Sequence, residues 1–275
     1  MQAFPLVQTR ADFAHQVMNH AGVVDEALVA AFAKVEREAF LARGPWRIAY
    51  PGGYSLTDSD DPREVYVDAL IALDAARRIN NGLPSAHALW IHALGLQRGE
   101  RVDHIGAGAG YYSAILAELV GAYGRLEAFE IDPDLARRAR EALADRGNVK
   151  VHAESGVDRA LPAADAIYVN AGASAPNAAW LEALSPSGRL LFPLTGEDGY
   201  GGMLKITRTD GERWPAKFIS GAAFINLIGG RDQREAAAVS AAFGHGGALR
   251  VRWYIRDNTA SEDDWLRVNG WRLTL

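Results

Sequence analysis

The sequence contains no cysteine. This absence excludes disulfide bridges, zinc–thiolate sites, iron–sulfur clusters and a catalytic thiol. No stretch approaches the ~20 uninterrupted apolar residues that a membrane-spanning helix needs, and the first residues lack the basic and apolar segments of a secretory signal. We therefore expect a soluble, cytoplasmic protein with no membrane partner.

An excess of positive charge is also absent. The 29 Lys and Arg residues stand against 34 Asp and Glu residues, which gives a formal net charge of −5. An acidic chain is poorly suited to the phosphate backbone of a nucleic acid, so no nucleic-acid partner is expected. The chain does have 275 residues, of which 49% are hydrophobic, enough to bury a core. Oxygen and nitrogen side chains, or a bound cofactor, must supply any chemistry.

Changes in the hydrophobic period divide the chain into three regions, and the first is residues 1–85. Its pattern predicts two helices with Thr9 and Asp25 as their N-caps. A long loop rich in Gly, Pro and Asp follows over residues 43–61, and then a further helix over residues 66–77. A loop of that length is often functional or mobile.

The second region, residues 86–231, alternates predicted strands with predicted helices. Repeated strand–helix units of this size predict the α/β class, with a doubly wound and mostly parallel sheet that is covered by helices on both faces. Two apolar runs joined through Asp210-Gly211 predict that this sheet ends in an antiparallel hairpin.

The third region, residues 232–275, predicts an Ala-rich helix followed by a C-terminal β extension. The alternation predicts that Trp253 and Trp271 face the core. The opposite face of the same strand carries Arg250, Arg252, Tyr254 and Arg256. This pattern is typical of the solvated face of an edge hairpin.

A glycine-rich segment, Gly106-Ala107-Gly108-Ala109-Gly110, follows a predicted strand and precedes a predicted helix. We call it the glycine turn. Glycines there let the backbone approach a ligand closely, and the helix N-terminus offers unpaired N–H groups. Glu130 ends the next strand, where a carboxylate can accept both hydroxyls of a ribose. The pair predicts a nucleotide-like ligand, with a plain tight connection as the alternative.

Tyr111 helps to identify that ligand. The dinucleotide fingerprint has Gly or Ala at this position, so that the helix can pack against the sheet beneath a pyrophosphate. S-adenosylmethionine contains a ribose and an adenine but no phosphate, so the pattern favours it over NAD. The cofactor contacts predicted around the motif are Ile105, Gly106, Ala107, Gly108, Gly110, Tyr111, Glu130 and Ile131.

Four segments together resemble the protein L-isoaspartate O-methyltransferase family: residues 101–120, 129–133, 165–171 and 184–190. The similarity runs from residues 35–40 to residues 224–227. The resemblance implies a Rossmann-like methyltransferase sheet with a reversed final hairpin, S-adenosylmethionine as methyl donor and, in the family's best-known members, a carboxylate of damaged aspartate as acceptor. It also implies Ser155, with Glu154 as the alternative, beside the adenine. Asn170, which ends the third strand segment, completes the predicted cofactor contacts.

The chain departs from the family at Gly82-Leu83-Pro84, where the family has a serine–glutamine–proline motif whose serine is associated with the acceptor site. Asn80, Asn81 and Tyr66 flank this segment and are the predicted acceptor contacts. The asparagines are alternatively turn residues.

The predicted function is the transfer of methyl from S-adenosylmethionine to a carboxylate of a peptide, protein or small molecule. Such an acceptor is ionised at neutral pH, so positioning can supply most of the catalysis and no metal is predicted. A hydroxyl or amine acceptor would require a base, for which the candidates are His87, His92, Asp74 and Asp103. Two alternatives remain at this point, a non-catalytic scaffold that binds S-adenosylmethionine and an NAD-dependent oxidoreductase.

Overall fold

A computed structural model describes residues 5–50, 52–157 and 159–275 of the chain. Residues 1–4, Pro51 and Asp158 lie outside the described residues. The expectation that no secretory signal is present depends on the first of these segments, and Pro51 is part of the predicted long loop. Two compact units are present. The first contains the described residues up to Gly99 together with 107–154, and the second contains residues 100–106 together with 155–275.

The helices are α1 (Leu6–Ala21), α2 (Glu26–Lys34), α3 (Pro84–Leu94), α4 (Tyr111–Val120), α5 (Pro133–Ala142), α6 (Ala178–Ala183) and α7 (Gln233–Gly244). The strands are β1 (Arg47–Tyr50), β2 (Gly53–Leu56), β3 (Ala72–Asp74), β4 (Ile79–Asn80), β5 (Arg101–Ile105), β6 (Arg125–Phe129), β7 (Val149–His152), β8 (Ala164–Val169), β9 (Leu184–Thr195), β10 (Tyr200–Thr207), β11 (Arg213–Ala223), β12 (Trp253–Ile255), β13 (Asp264–Val268) and β14 (Trp271–Thr274).

The N-terminal helices α1 and α2 bury apolar faces that include Phe13 and Phe32, whose ring centroids lie 6.4 Å apart. Asp25 caps α2 as predicted, because its carboxylate accepts from the backbone N–H of Leu28 at 3.0 Å. The prediction that Thr9 caps α1 is wrong. The helix begins at Leu6 after Pro5, and Thr9 lies inside its first turns.

The helix predicted over residues 66–77 is wrong, because this segment contains bends and then strand β3, which pairs antiparallel with β4 just beyond it. The cause is Arg37, whose side chain is 0% exposed. Its guanidinium donates to the backbone carbonyls of Val65, Val67 and Ala69, at the end of a 3₁₀ turn and in the bends that follow it. A buried cation requires such acceptors, so this tertiary contact overrides the helix propensity of an Ala- and Leu-rich segment. The long loop at residues 43–61 likewise contains the hairpin β1–β2.

In the first unit, β6 and β7 pair in parallel, and α5 connects them along the chain. Asp132 begins α5, because its carboxylate accepts from the backbone N–H groups of Asp134 and Leu135 at 3.0 and 2.9 Å. This N-cap fixes the direction in which the chain leaves β6. The backbone N–H of Leu135, together with the guanidinium of Arg77, lowers the pKa of the Asp132 carboxyl.

Replacing Asp132 by alanine is expected to lower the free energy of unfolding by about 1 kcal/mol at neutral pH, the usual cost of a lost cap. The capping contribution is present above the unfolded pKa of about 3.9 and disappears as the pH falls through the lower folded pKa. The difference between Asp132→Ala and the wild type, measured by urea unfolding, should therefore shrink below about pH 4. Asp134→Ala, in the first turn of the same helix, is the control. An equal loss from both substitutions would contradict the capping role.

The second unit contains a sheet in the order β13-β14-β12-β11-β10-β9-β8-β5. Its β5–β8 and β8–β9 pairs are parallel, while β9, β10 and β11 form an antiparallel meander. The predicted hairpin through Asp210-Gly211 is confirmed as the β10–β11 connection. The antiparallel part continues beyond this hairpin into β12, β14 and β13.

The C-terminal extension places its aromatic residues differently from the prediction. Trp271 is buried as expected, but Trp253 is 36% exposed and Tyr254 is 2% exposed, so the predicted faces of this strand are wrong. The alternation fails because Ala248–Arg250 forms a 3₁₀ turn and β12 spans only three residues. Tyr254 then packs between Trp214 and Trp271, with ring centroids 6.1 and 6.0 Å away.

Within residues 5–50, 52–157 and 159–275, none of the helices has the length and apolar character required to span a bilayer.

Candidate cofactor site

The part of the glycine turn that lies in the first unit connects directly to α4. The backbone N–H of Ala107 donates to the carbonyl of Phe129 at 3.1 Å, and that of Gly110 donates to the carbonyl of Ala107 at 3.0 Å. Gly110 has a φ of +97°, and a Cβ there would lie 2.9 Å from Cδ1 of Leu143. Glycine is therefore required at this position, both for its backbone conformation and for the close approach of α5.

The carboxylate of Glu130 bridges the turn and the start of α5. One oxygen accepts from the backbone N–H of Gly108 at 2.7 Å and the other from that of Asp132 at 2.9 Å. The residue is 7% exposed, and burial raises the pKa of the carboxyl although the N–H donors oppose this shift. Each carboxylate oxygen has a second lone pair, so the pair can still accept two ribose hydroxyls. Ile131, the next predicted contact, is 45% exposed.

The β3–β4 hairpin lies against the same turn, which the predicted helix could not indicate. A Cβ on Gly108 would lie 3.6 Å from Cδ1 of Leu73, an ordinary van der Waals contact. At the hairpin tip, Arg77 forms ion pairs with Asp74 and with Asp132 at the start of α5. The hairpin is therefore attached to the segment that carries Glu130.

Tyr111 anchors α4 in the core of the first unit. Its ring is 4% exposed and packs edge-on against Phe32 and Phe40, with centroids 6.2 and 5.8 Å away. Burial raises the pKa of its hydroxyl. These contacts explain the bulky side chain by packing alone, and a contact between Tyr111 and the cofactor stays a prediction.

The remaining part of the predicted site lies in the second unit, at the ends of β5 and β8. Asn170 donates its backbone N–H to the carbonyl of Ile105 at 2.8 Å. A Cβ on Gly106 would lie 3.1 Å from the carbonyl oxygen of Asn170, so glycine permits the two backbones to lie side by side. The amide nitrogen of the Asn170 side chain lies 2.7 Å from Nε2 of His104, a residue that the sequence analysis did not select.

The two alternatives for the adenine contact lie in different surroundings. Glu154, in the first unit, has a half-exposed carboxylate that lies 3.3 Å from Nδ1 of His152. Ser155, in the second unit, accepts with its hydroxyl from the backbone N–H of Val157 at 3.2 Å. The choice between them stays a prediction.

The two asparagines predicted to contact the acceptor have different roles in the structure. The Asn80 side-chain oxygen accepts from the backbone N–H of Gly82 at 2.9 Å, which is a turn contact. The Asn81 side-chain oxygen accepts from the backbone N–H of Ile71 at 2.9 Å. The amide nitrogen of Asn81 is buried and has no hydrogen-bond partner among the described residues. Asn81 thus presents an unused donor beside the segment that replaces the family's serine motif.

Gly82 itself is closely surrounded. Its φ is +74°, and a Cβ there would lie 2.8 Å from Cδ2 of His87 and closer still to Nε2. The His87 ring is 3% exposed and stacks on Tyr112 at 3.6 Å, while the Tyr112 hydroxyl donates to the carbonyl of Gly82 at 3.3 Å. The imidazole of His87 therefore occupies the space that a serine side chain at position 82 would need.

Tyr66, the third predicted acceptor contact, belongs to a buried polar cluster in the N-terminal region. Its hydroxyl donates to Glu38 and accepts from the guanidinium of Arg10 at 2.9 Å and from the backbone N–H of Arg37 at 3.1 Å. Burial raises the pKa of this hydroxyl. The cluster explains Tyr66 structurally, and its contact with an acceptor stays a prediction.

The other candidate bases have structural partners. His92 pairs with Asp25 at 2.9 Å, and Asp74 pairs with Arg77 at 2.6 Å. Asp103 is 0% exposed within β5.

Comparisons with known proteins show which sequences this chain resembles. The sequence model of the protein-L-isoaspartate(D-aspartate) O-methyltransferase family matches residues 8–232. A protein-L-isoaspartate O-methyltransferase from Methylorubrum populi is 35% identical over 213 residues, which cover 76% of this chain and 90% of the relative. One from Ignicoccus hospitalis is 36% identical over 167 residues, covering 59% and 78%.

Two solved structures share the fold. A putative protein-L-isoaspartate O-methyltransferase from Plasmodium falciparum, crystallised with S-adenosyl-L-homocysteine, superimposes with a TM-score of 0.64 at 18% identity, covering 79% of this chain and 97% of the other. A second structure of a protein-L-isoaspartate O-methyltransferase gives a TM-score of 0.61 at 18% identity, covering 96% and 87%. These similarities confirm the predicted α/β, Rossmann-like class.

Proposed function

Because the chain belongs to the protein-L-isoaspartate(D-aspartate) O-methyltransferase family, and is by that membership an S-adenosylmethionine-dependent O-methyltransferase, we propose that it methylates the free carboxylate of isoaspartyl residues in peptides or proteins. The observation that carries the proposal is the Glu130 carboxylate, held between two backbone N–H groups beside the glycine turn. The family assignment removes the NAD-dependent alternative. We include in the proposal the cytoplasmic location that the sequence analysis predicts.

When bound, the cofactor supplies a methyl group that is electrophilic because it is attached to a sulfonium. We assign the ribose hydroxyls to Glu130, since a carboxylate is an acceptor without donors of its own. The glycine turn allows the backbone to approach the ligand, because its three glycines have no side chain. Gly106 and Asn170 of the second unit, and Ile131 after Glu130, are further proposed contacts.

The chemical step requires little more than orientation. A carboxylate oxygen of the acceptor forms a bond to the methyl carbon as the carbon–sulfur bond breaks, and the bonding electron pair goes to sulfur. The products are a methyl ester and a neutral thioether, and no proton moves. An ionised carboxylate needs no general base, so holding it in line with the carbon–sulfur bond supplies the main rate advantage.

The acceptor carboxylate needs hydrogen-bond donors, and Asn81 offers one. Its side-chain oxygen is fixed by the backbone N–H of Ile71, which leaves the amide nitrogen as a buried donor without a partner among the described residues. A buried unpaired donor costs free energy unless a ligand satisfies it. We therefore assign Asn81 to the acceptor carboxylate and Asn80 to the turn that supports Gly82.

The experiment that tests the function is transfer of labelled methyl from S-adenosylmethionine to an isoaspartyl peptide and to the same peptide with normal aspartate. Base-labile label on the isoaspartyl peptide alone is the expected result. Label on neither peptide, with cofactor binding intact by calorimetry, would contradict the proposal. A small-molecule carboxylate acceptor or a non-catalytic scaffold would then be the remaining explanations.

Asn81→Asp is expected to raise the KM for the isoaspartyl peptide about tenfold. The variant keeps the oxygen that binds Ile71 but replaces the donor with a second carboxylate oxygen, which repels the acceptor. Asn80→Asp is the matched control, because its oxygen still accepts from Gly82, and its KM should change by less than about twofold. Steady-state kinetics at fixed saturating cofactor measure both. Equal changes in the two variants would contradict the assignment of Asn81.

A further inference from the structure

His104 and Asn170 lie where two neighbouring parallel strands of the second unit end. His104 on β5 is opposite Tyr168 on β8, and their rings stack with centroids 5.4 Å apart. Asn170 immediately follows β8, and its backbone runs beside Gly106. Ligands of doubly wound sheets bind outside the carboxyl ends of the strands, so the pair occupies the end of the sheet where a ligand is expected.

The hydrogen bond between the two side chains has a defined direction. His104 is 0% exposed, and burial lowers the pKa of its imidazole to about 3, so the ring is uncharged at neutral pH. The side-chain nitrogen of Asn170 lies 2.7 Å from Nε2 and can only donate, so Nε2 is the acceptor. This bond fixes the orientation of the amide and therefore the position of its oxygen.

The Asn170 side-chain oxygen is buried and has no hydrogen-bond partner in the part of the chain that the structure describes. An unsatisfied buried carbonyl is unfavourable, and in a native protein it requires an explanation such as a bound ligand. The atom is an acceptor, so its partner must carry an N–H or O–H group. An ionised acceptor carboxylate has neither, which excludes it as the partner.

We propose that the Asn170 side-chain oxygen accepts a hydrogen bond from the α-ammonium group of S-adenosylmethionine, and that His104 is a positioning residue that holds the amide in this orientation. The proposal rests on the proposed function. An ammonium suits the site because a charged donor forms the stronger hydrogen bond with a carbonyl. An uncharged His104 adds no positive charge next to a cationic ligand, which a protonated imidazole would do.

The test uses two ligands that share the adenosine and differ in the amino-acid part, S-adenosylhomocysteine and 5′-methylthioadenosine. Asn170→Leu, which has nearly the same shape without polar atoms, is titrated with both by calorimetry. We expect about tenfold weaker binding of S-adenosylhomocysteine and a change of less than about twofold for 5′-methylthioadenosine. Asn170→Ala repeats the measurement in case the leucine blocks the site.

His104 is tested through the same difference between ligands. His104→Phe keeps a ring but removes the acceptor, so it should selectively weaken S-adenosylhomocysteine. His104→Gln, whose side-chain oxygen can accept from Asn170, should restore most of that affinity. A purely structural role would instead weaken both ligands equally in both variants, and this result would overturn the assignment of His104.

Three further outcomes would overturn the assignment of Asn170. Equal weakening of both ligands would place the residue against the adenosine. Unchanged binding of both ligands with a raised KM for the isoaspartyl peptide would place it against the acceptor. If the wild type binds neither ligand, the proposed function fails together with the assignment of Asn170. If the wild type binds both ligands and the Asn170 variants bind them equally tightly, only the assignment of Asn170 fails.

Discussion

Replacing Glu130 by alanine is expected to weaken S-adenosylmethionine binding about 100-fold. The carboxylate is proposed to accept two ribose hydroxyls, and a hydrogen bond to a charged group contributes about 1.5–3 kcal/mol. Two such bonds at the lower end of that range amount to about 3 kcal/mol, and each 1.4 kcal/mol is about a tenfold change in affinity. The substitution also leaves the buried N–H groups of Gly108 and Asp132 without their acceptor. The turn is then less well ordered for the ligand.

Isothermal titration of the folded variant measures this effect, and Glu127→Gln is its matched control. Glu127 is three residues earlier, on β6 itself, is 6% exposed and has a carboxylate oxygen 2.5 Å from Nε2 of His152. Losing its charge removes a buried carboxylate of the same unit without touching the glycine turn, so cofactor affinity should stay within about twofold. Glu130→Gln should fall between the two, because one amide oxygen cannot accept from both backbone N–H groups. Wild-type affinity in a folded Glu130→Ala protein would remove Glu130 from the site.

The features predicted correctly from the sequence are those that depend on neighbouring residues. The structure has the glycine turn directly after β5 and Glu130 directly after β6, as their strand–helix patterns predict, and a role of these residues in cofactor binding stays a prediction. Asp25 could be identified as a cap in the same local way, because its own helix supplies the N–H that it accepts. The local sequence of one strand–helix unit was enough to predict where these residues lie along the chain.

The features that were missed depend on residues far apart in the chain. The β3–β4 hairpin replaces a predicted helix because Arg37, about 30 residues earlier, binds the carbonyls that a helix would have used. The unused acceptor of Asn170 depends on His104, which is separated from it by more than two strand–helix units. No local pattern contains either contact.

Restoring the family's serine by Gly82→Ser is expected to lower the free energy of unfolding by about 3 kcal/mol. The φ of +74° costs a residue with a side chain about 1–2 kcal/mol. The new Cβ would also overlap the imidazole of His87, lying 2.8 Å from its Cδ2, and overpacking of this kind typically costs about 1–3 kcal/mol. His87 cannot easily move, because its ring stacks on Tyr112 and is 3% exposed.

Gly95→Ser is the matched control for that measurement. Gly95 ends α3 and has a φ of +66°, and a Cβ at this position would meet no other atom within 4 Å. Its serine therefore carries the backbone cost alone, about 1–2 kcal/mol. Urea unfolding of both variants gives the steric contribution of His87 as their difference. If Gly82→Ser is no less stable than Gly95→Ser, the imidazole of His87 can move away from the new side chain without a measurable loss of stability.

The double variant Gly82→Ser, His87→Ala separates the contact from the backbone strain. His87→Ala alone loses the stacking on Tyr112, but it opens the space that the serine side chain needs. The two substitutions together should therefore cost about 1–3 kcal/mol less than the sum of the single losses, which a double-mutant cycle measures directly. Additive losses would mean that Gly82 and His87 are independent. Strong coupling would show that a side chain at position 82 and the imidazole of His87 compete for the same space.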